Sequence, residues 1–226
     1  MEAVTPAPRA LVSSVVIGTN AELFPQALEL YVRRGAKVAD TTYGRGVFWQ
    51  NVPAGWYDLW PTDLQDGVDA RALPYADGEF DALVFDPPYM HGSNGAGPYA
   101  DGDHNMDRYY RNSASGPRGK GTAAAYHQAV VDLYLDAARE AARVLRPEGV
   151  YFVKCQDEVS ANRQRLTHVE LVNGLSAFGF RCEDLFILVQ SKTPPPSPTA
   201  HRQVHARKGH SYLLVFVKGA GIWQGP

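Results

Sequence analysis

Four unbroken apolar runs constrain this chain most: Ala82–Phe85, Val150–Val153, Leu185–Val189 and Tyr212–Val217. A run of four to six residues with no polar alternation reads as a strand covered on both faces. Helical patterns precede and separate these runs. Residues 21–34 place Leu23, Ala27, Leu30 and Tyr31 on one stripe. Residues 123–145 are rich in alanine and leucine, and Pro147 and Gly149 stop that helix. A further helix is predicted over 167–178, a short strand over Lys37–Asp40 and a weaker one over Tyr57–Thr62. Strands alternating with helices call for a mostly parallel sheet with helices on both faces. The Pro-rich stretch 193–198 is too restrained to pair in a sheet, so it connects the last two strands. With no internal repeat and no dividing linker, residues 1–226 read as one domain.

Composition removes several alternatives. Of the 226 residues 45% are hydrophobic and 11% aromatic, which excludes disorder as the main state. No apolar run approaches the ~18–20 residues that cross a bilayer. Met1–Arg9 carries Glu2 and two prolines, unlike a signal or transit peptide, so the expectation is a cytoplasmic protein with no membrane partner. Cys155 and Cys182 are too few for a disulfide framework or a zinc site, and no metal is expected.

The net charge of −2 conceals an asymmetry. Residues 1–89 hold 6 basic and 12 acidic side chains, whereas 190–226 hold Lys192, Arg202, Arg207, Lys208 and Lys218 with no acid. Such a block either faces phosphates or is a solvated loop. Residues 90–122 are rich in Gly, Ser, Asn and Asp with little periodicity. A loop of that length is functional or disordered.

Two segments carry chemistry. Asp40-Thr-Thr-Tyr-Gly44-Arg-Gly46 follows a predicted strand, where glycines let the backbone turn sharply or approach a ligand; a plain tight turn would use the same residues. Asp86-Pro87-Pro88-Tyr89 ends the strand of Phe85. Its prolines remove two backbone donors and leave carbonyls free to accept. A carboxylate, a rigid carbonyl and an aromatic face at one strand end suit a planar group bearing an –NH₂. A proline turn closing a strand is the plainer alternative.

On these residues the sequence resembles the S-adenosylmethionine-dependent amino-methyltransferases of DNA, which act on adenine N6 or cytosine N4. Asp86-Pro87-Pro88-Tyr89 is similar to their catalytic signature, and Asp40-x-x-x-Gly44-x-Gly46 to their cofactor loop. Residues 68–81 resemble the approach to the catalytic strand, and 142–149 a helix-to-strand turn common to class I methyltransferases. The resemblance implies an α/β, Rossmann-like class I fold: a mostly parallel seven-stranded sheet, helices on both faces, and an antiparallel last strand. It implies S-adenosyl-L-methionine as cofactor, held by Asp40, Thr42, Gly44 and Gly46, with Asp63 (rival Asp58) at the ribose and Asp69 at the adenine. Thr19 or Asn20 falls in the segment near the cofactor carboxylate. Asp86 and the Pro87 carbonyl would grip the target amine beside Pro88, and Tyr89 would stack on the base.

Further substrate contacts are expected from His91, from Lys154 just past a central strand, and from Arg202, Arg207 and Lys208 in the basic connection. A turn histidine, or a loop capping its own helix, would explain His91 and Lys154 equally. Thr41-Thr42 stand where many members have Pro-Phe. Members with this motif order usually add a target-recognition domain; here only 90–122 and 191–210 remain for the task, so a specificity partner or a homodimer is a further expectation.

The implied activity is methyl transfer to a DNA base, with Asp at the first signature position favouring adenine N6 over cytosine N4. An RNA methyltransferase acting on guanine N2 or adenine, or a non-catalytic nucleic-acid-binding subunit, are the alternatives.

Overall fold

The computed structural model describes residues 11–87, 123–160, 162–190 and 204–219. Pro88, Tyr89, His91 and Arg202 of the expected site lie outside them. The strands are β1 (Val15–Ile17), β2 (Lys37–Asp40), β3 (Asp58–Pro61), β4 (Phe80–Phe85), β5 (Leu145–Cys155), β6 (Glu158–Ser160), β7 (Arg163–Arg165), β8 (Phe180–Val189) and β9 (His210–Lys218). The helices are α1 (Asn20–Tyr31), α2 (Ala123–Val144) and α3 (Thr167–Ser176).

Seven strands form one sheet in the order β1-β8-β9-β5-β4-β2-β3. β9 runs antiparallel to both its neighbours, and the other pairs are parallel. The expected mostly parallel sheet with an antiparallel last strand is therefore present. Three features differ in detail. β1, too short to announce itself, adds a parallel strand beside β8. β8 begins at Phe180, five residues ahead of the apolar run that betrays it, because its first half alternates polar and apolar residues. Lys154 lies within β5 rather than past it, and Gln156 and Asp157 lead into a small β6–β7 hairpin, with Asp157 accepting from the His168 N–H in the first turn of α3.

The predicted stop after α2 is real, although pairing resumes at once. Leu145 pairs with Phe80, then Val150 with Ala82, so Arg146–Gly149 bulge out of the ladder. Glu148 takes the left-handed conformation there, with φ 60°.

Each sheet face has its own core. On one, Phe24 of α1 packs edge-on against Phe48, Trp49 and Phe152, over Val38, Ala82, Val84, Leu213 and Val215. On the other, Leu133, Tyr134, Ala137 and Ala141 of α2 and Leu171 and Leu175 of α3 cover Leu83, Phe85, Tyr151 and Phe216. Parallel strands deliver their carboxyl ends to one edge, the edge where open α/β sheets bind ligands.

A buried imidazole ties three elements together at that edge. His127 of α2 sits 2.8 Å from Glu158 of the hairpin through Nδ1 and 3.0 Å from Glu170 of α3 through Nε2. Burial alone would lower its pKa, but the two carboxylates outweigh burial and raise it. A raised histidine pKa contributes stability that is complete below the ordinary value of ~6.5 and is lost as pH rises through the folded value. Urea melts of the wild type should therefore weaken as pH climbs through that window, and His127→Gln should flatten this part of the profile. An unchanged profile would show that the imidazole does not bind its proton through Glu158 and Glu170.

Candidate active site

Asp40 is the last residue of β2 and is 2% exposed. Its carboxylate accepts from Trp49 Nε1 at 2.7 Å and from the Thr42 N–H at 3.0 Å. Burial pushes its pKa up to about 7 against those two hydrogen bonds, with the charges of Asp86 and Asp63 adding to the rise. The carboxylate thus pins the start of the turn to the indole that closes it.

Within the turn Gly44 and Gly46 adopt left-handed conformations, φ 51° and 66°. They differ in their surroundings. A Cβ on Gly46 would lie 2.6 Å from Tyr43 Oη, so a side chain there would have to displace the folded-back tyrosine as well as adopt a positive φ. A Cβ on Gly44 would meet only the Thr42 carbonyl, at 3.9 Å, among the described residues. Gly44 donates its N–H to Asp63 Oδ2 at 3.1 Å, and Asp63 Oδ1 accepts from the Gln65 N–H. Asp63 is therefore a buried clamp on the glycine turn, just beyond β3. Its rival Asp58 starts β3, in register with Lys37, and so stands at the opposite end of the sheet.

Asp86, just beyond β4, is joined directly to this turn. The Asp86 N–H donates to Thr42 Oγ1 at 2.7 Å, and Thr41 binds the Val84 carbonyl through both its N–H and its hydroxyl, each at 3.1 Å. Thr41-Thr42, the pair that departs from the resembled family, is here the fastening between β2 and β4. Burial raises the Asp86 carboxyl to about 6, and Lys154 opposes that rise.

Other expected residues fall into place unevenly. Asp69 holds Arg71 in a two-pronged pair, 2.9 Å to Nε and 2.6 Å to Nη2, which keeps its carboxyl below the usual range. Lys154, expected as a substrate contact, is 1% exposed and donates to Ser211 Oγ, so it stands beneath the surface. Arg207 is exposed, while Lys208 donates to Gln164 of the β6–β7 hairpin, and His205 meets the Asn162 carbonyl at 3.1 Å. His205 and Lys208 therefore lie along the hairpin. Cys155 is fully buried, and burial pushes its thiol pKa far up.

Sequence reading missed Trp49, Thr41 and Ser211 as parts of the site. The aromatic at the end of Val47-Phe48-Trp49 was a signal for the first. Nothing in sequence marks a lone serine at a strand start.

No family model matches the chain, and no curated protein matches it in sequence. Solved structures do. A candidate methyltransferase from Bacillus halodurans C-125 superposes with TM-score 0.51 at 13% identity, covering 87% of this chain and 98% of that one. The fold is that of class I methyltransferases. A candidate DNA modification methylase from Thermus thermophilus, solved with S-adenosyl-L-methionine, gives TM-score 0.43 at 18% identity over 70% of this chain and 56% of its own. TrmN from Thermus thermophilus gives 0.48 at 17%, over 87% and 48%. The chain thus spans about half the length of these two Thermus proteins.

Gly46→Ala should cost about 1–3 kcal/mol in denaturant unfolding, from positive φ and the clash with Tyr43 together. Gly44→Ala, with no neighbour to displace among the described residues, should cost less. Equal losses would mean that the tyrosine contact is not what fixes Gly46.

Proposed function

We propose that this chain transfers a methyl group from S-adenosyl-L-methionine to the exocyclic amine of a base in DNA, adenine N6. The observation that carries the reading is the bond from the Asp86 N–H to Thr42 Oγ1, which sets Asp86 beside the glycine turn.

The residues around the turn fit the cofactor. Among the described residues, Asn20 Oδ1, at the start of α1, is buried with no hydrogen-bond partner. Asn20 lies one helical turn before Phe24, and Phe24 packs on the Trp49 that binds Asp40. An orphaned acceptor in that position suits the ammonium of an amino acid. The lone neighbour of a Gly44 Cβ among the described residues, the Thr42 carbonyl, leaves room for a ligand against the backbone, and Asp63 and Asp69 are acceptors for its ribose and adenine. When bound, the cofactor supplies an electrophilic methyl on a sulfonium.

The protein's part is to present the nucleophile. The lone pair of an aromatic amine is delocalised into the ring, so the nitrogen attacks poorly. Asp86 and the Pro87 carbonyl accept its two N–H bonds, which favours a tetrahedral nitrogen and aims the lone pair outward. Tyr89 stacks on the base. Orientation and fixed charge supply the acceleration, and no covalent nucleophile is needed. In a duplex the base leaves the stack first, at a cost of a few kcal/mol that stacking on Tyr89 offsets in part. Asp at the first signature position supports adenine over cytosine. Arg202, Arg207 and Lys208 act on the phosphates, and target choice is shared with a partner or a second copy.

Incubating the protein with labelled cofactor and DNA or RNA, then analysing nucleosides by mass spectrometry, tests the reading; N6-methyladenine in DNA is the expected product. Asp86→Ala should abolish transfer and leave cofactor affinity within a few-fold of wild type. Lost cofactor binding would instead put Asp86 in the cofactor pocket. Reversing charge at Arg207 and Lys208 should lower the salt slope of DNA binding by about 2, near one unit per phosphate released. An unchanged slope returns them to the solvated-loop reading.

A further inference from the structure

On the α1 side of the sheet, four apolar rows end in polar residues at the same edge. Val38 is followed by Asp40 on β2, Ala82 and Val84 by Asp86 after β4, Val150 and Phe152 by Lys154 on β5, and Val215 and Leu213 by Ser211 on β9. Alternate residues of a strand share a face, so these four continue the faces of the apolar residues before them. Phe85 pairs with Val153. Asp86 and Lys154 are therefore one step further along adjacent parallel strands, whose spacing is ~4.8 Å.

Lys154 is an unusual occupant of such a row. It is 1% exposed, and Ser211, which accepts from its ammonium, is 0% exposed. Its backbone is fixed as well, for Tyr134 Oη donates to the Lys154 carbonyl at 2.7 Å. The Gln156 side chain, two residues on, donates to the His210 carbonyl at 2.6 Å and locks the end of β5 to the start of β9. A buried ammonium needs an opposite charge, and a hydroxyl supplies none. Burial lowers the Lys154 pKa, and the charge of Asp86 is among those that hold it up.

We infer that Lys154, anchored by Ser211, is a positioning residue: its buried ammonium is the counter-charge that keeps Asp86 an ionised acceptor at the mouth of the site. The inference rests on the proposed methyl transfer, in which Asp86 must accept from the target amine. The charges around Asp86 make the need plain. Asp40 on β2, with Asp63 behind it, is like-signed, and so are Asp157 and the Cys155 thiol when ionised on the β5 side. Burial favours the protonated acid, which would donate where the reaction needs an acceptor; the Lys154 charge opposes that rise.

The test compares the full-length wild type, Lys154→Met and Lys154→Arg, with kcat/KM for DNA methylation measured from pH 5 to 9 alongside cofactor affinity. The wild type should lose activity on its acid side. Lys154→Met should move that limb upward by about one pH unit or more, falling ~10-fold below wild type near neutrality and recovering as pH rises. Lys154→Arg should hold the limb in place, and cofactor affinity should change little in either. A uniform loss at every pH, with the limb unmoved, would overturn the inference and leave Lys154 a packing residue. If Lys154→Met does not fold, Ser211→Ala carries the same comparison, with a smaller shift in the same direction. Carboxyl-carbon NMR titration of Asp86 reads the coupling without turnover: an upward shift in the variant supports the inference even if the wild type methylates no nucleic acid, and an unshifted Asp86 sinks it even if methylation is found.

Discussion

A single hydrogen bond, from the Asp86 amide to the Thr42 hydroxyl, gives the ligand edge of the sheet its chemical meaning. β2 and β4 are neighbours by topology, but adjacency only places two loops near each other. The threonine pair converts proximity into register. Thr41 holds the last turn of β4 through the Val84 carbonyl, and Thr42 holds the first residue beyond it. With Asp40 bound to Trp49 and Asp63 bound to Gly44, two carboxylates and an indole frame one glycine turn. Each side chain that shapes the turn also reaches a second strand or the loop behind it.

This arrangement concentrates buried charge. Asp40 and Asp86 are both raised toward neutrality by burial, a pattern that clusters at functional sites. Farther along the edge, Asp157 binds the His168 ring at 2.7 Å, and that ring stacks on Tyr212 with centroids 4.2 Å apart. His127 with Glu158 and Glu170 completes a second polar belt. The belt fastens the β6–β7 hairpin and α3 to α2, and so braces the strand end from which Lys154 reaches toward Asp86.

Much of this was legible in the sequence, for identifiable reasons. Ala82–Phe85 and Val150–Val153 are buried on both faces and therefore unbroken in sequence. The turn at Asp40–Gly46 and the Asp-Pro-Pro segment stood at strand ends, where the topology brings them together. What escaped was whatever lacked a local pattern. β1 has three residues, the hairpin strands three each, and the first half of β8 looks amphipathic because one side of it is exposed. Lys154 illustrates the limit for the site itself. A lysine after a buried strand reads as a surface group, and only the register with Asp86 and the hydroxyl of Ser211 shows that it points inward.

The two border strands carry a consequence of their own. β1 spans three residues and β3 four, the latter ending in Pro61, which has no amide hydrogen to offer. Val15 and Ile17 are 46% and 76% exposed on β1, an apolar margin that in a long strand would recruit other chains. Brevity is what protects it, because a ladder of so few amides gives an incoming strand too little to hold. The sheet can therefore keep a largely apolar middle without its rims becoming a seed for self-association.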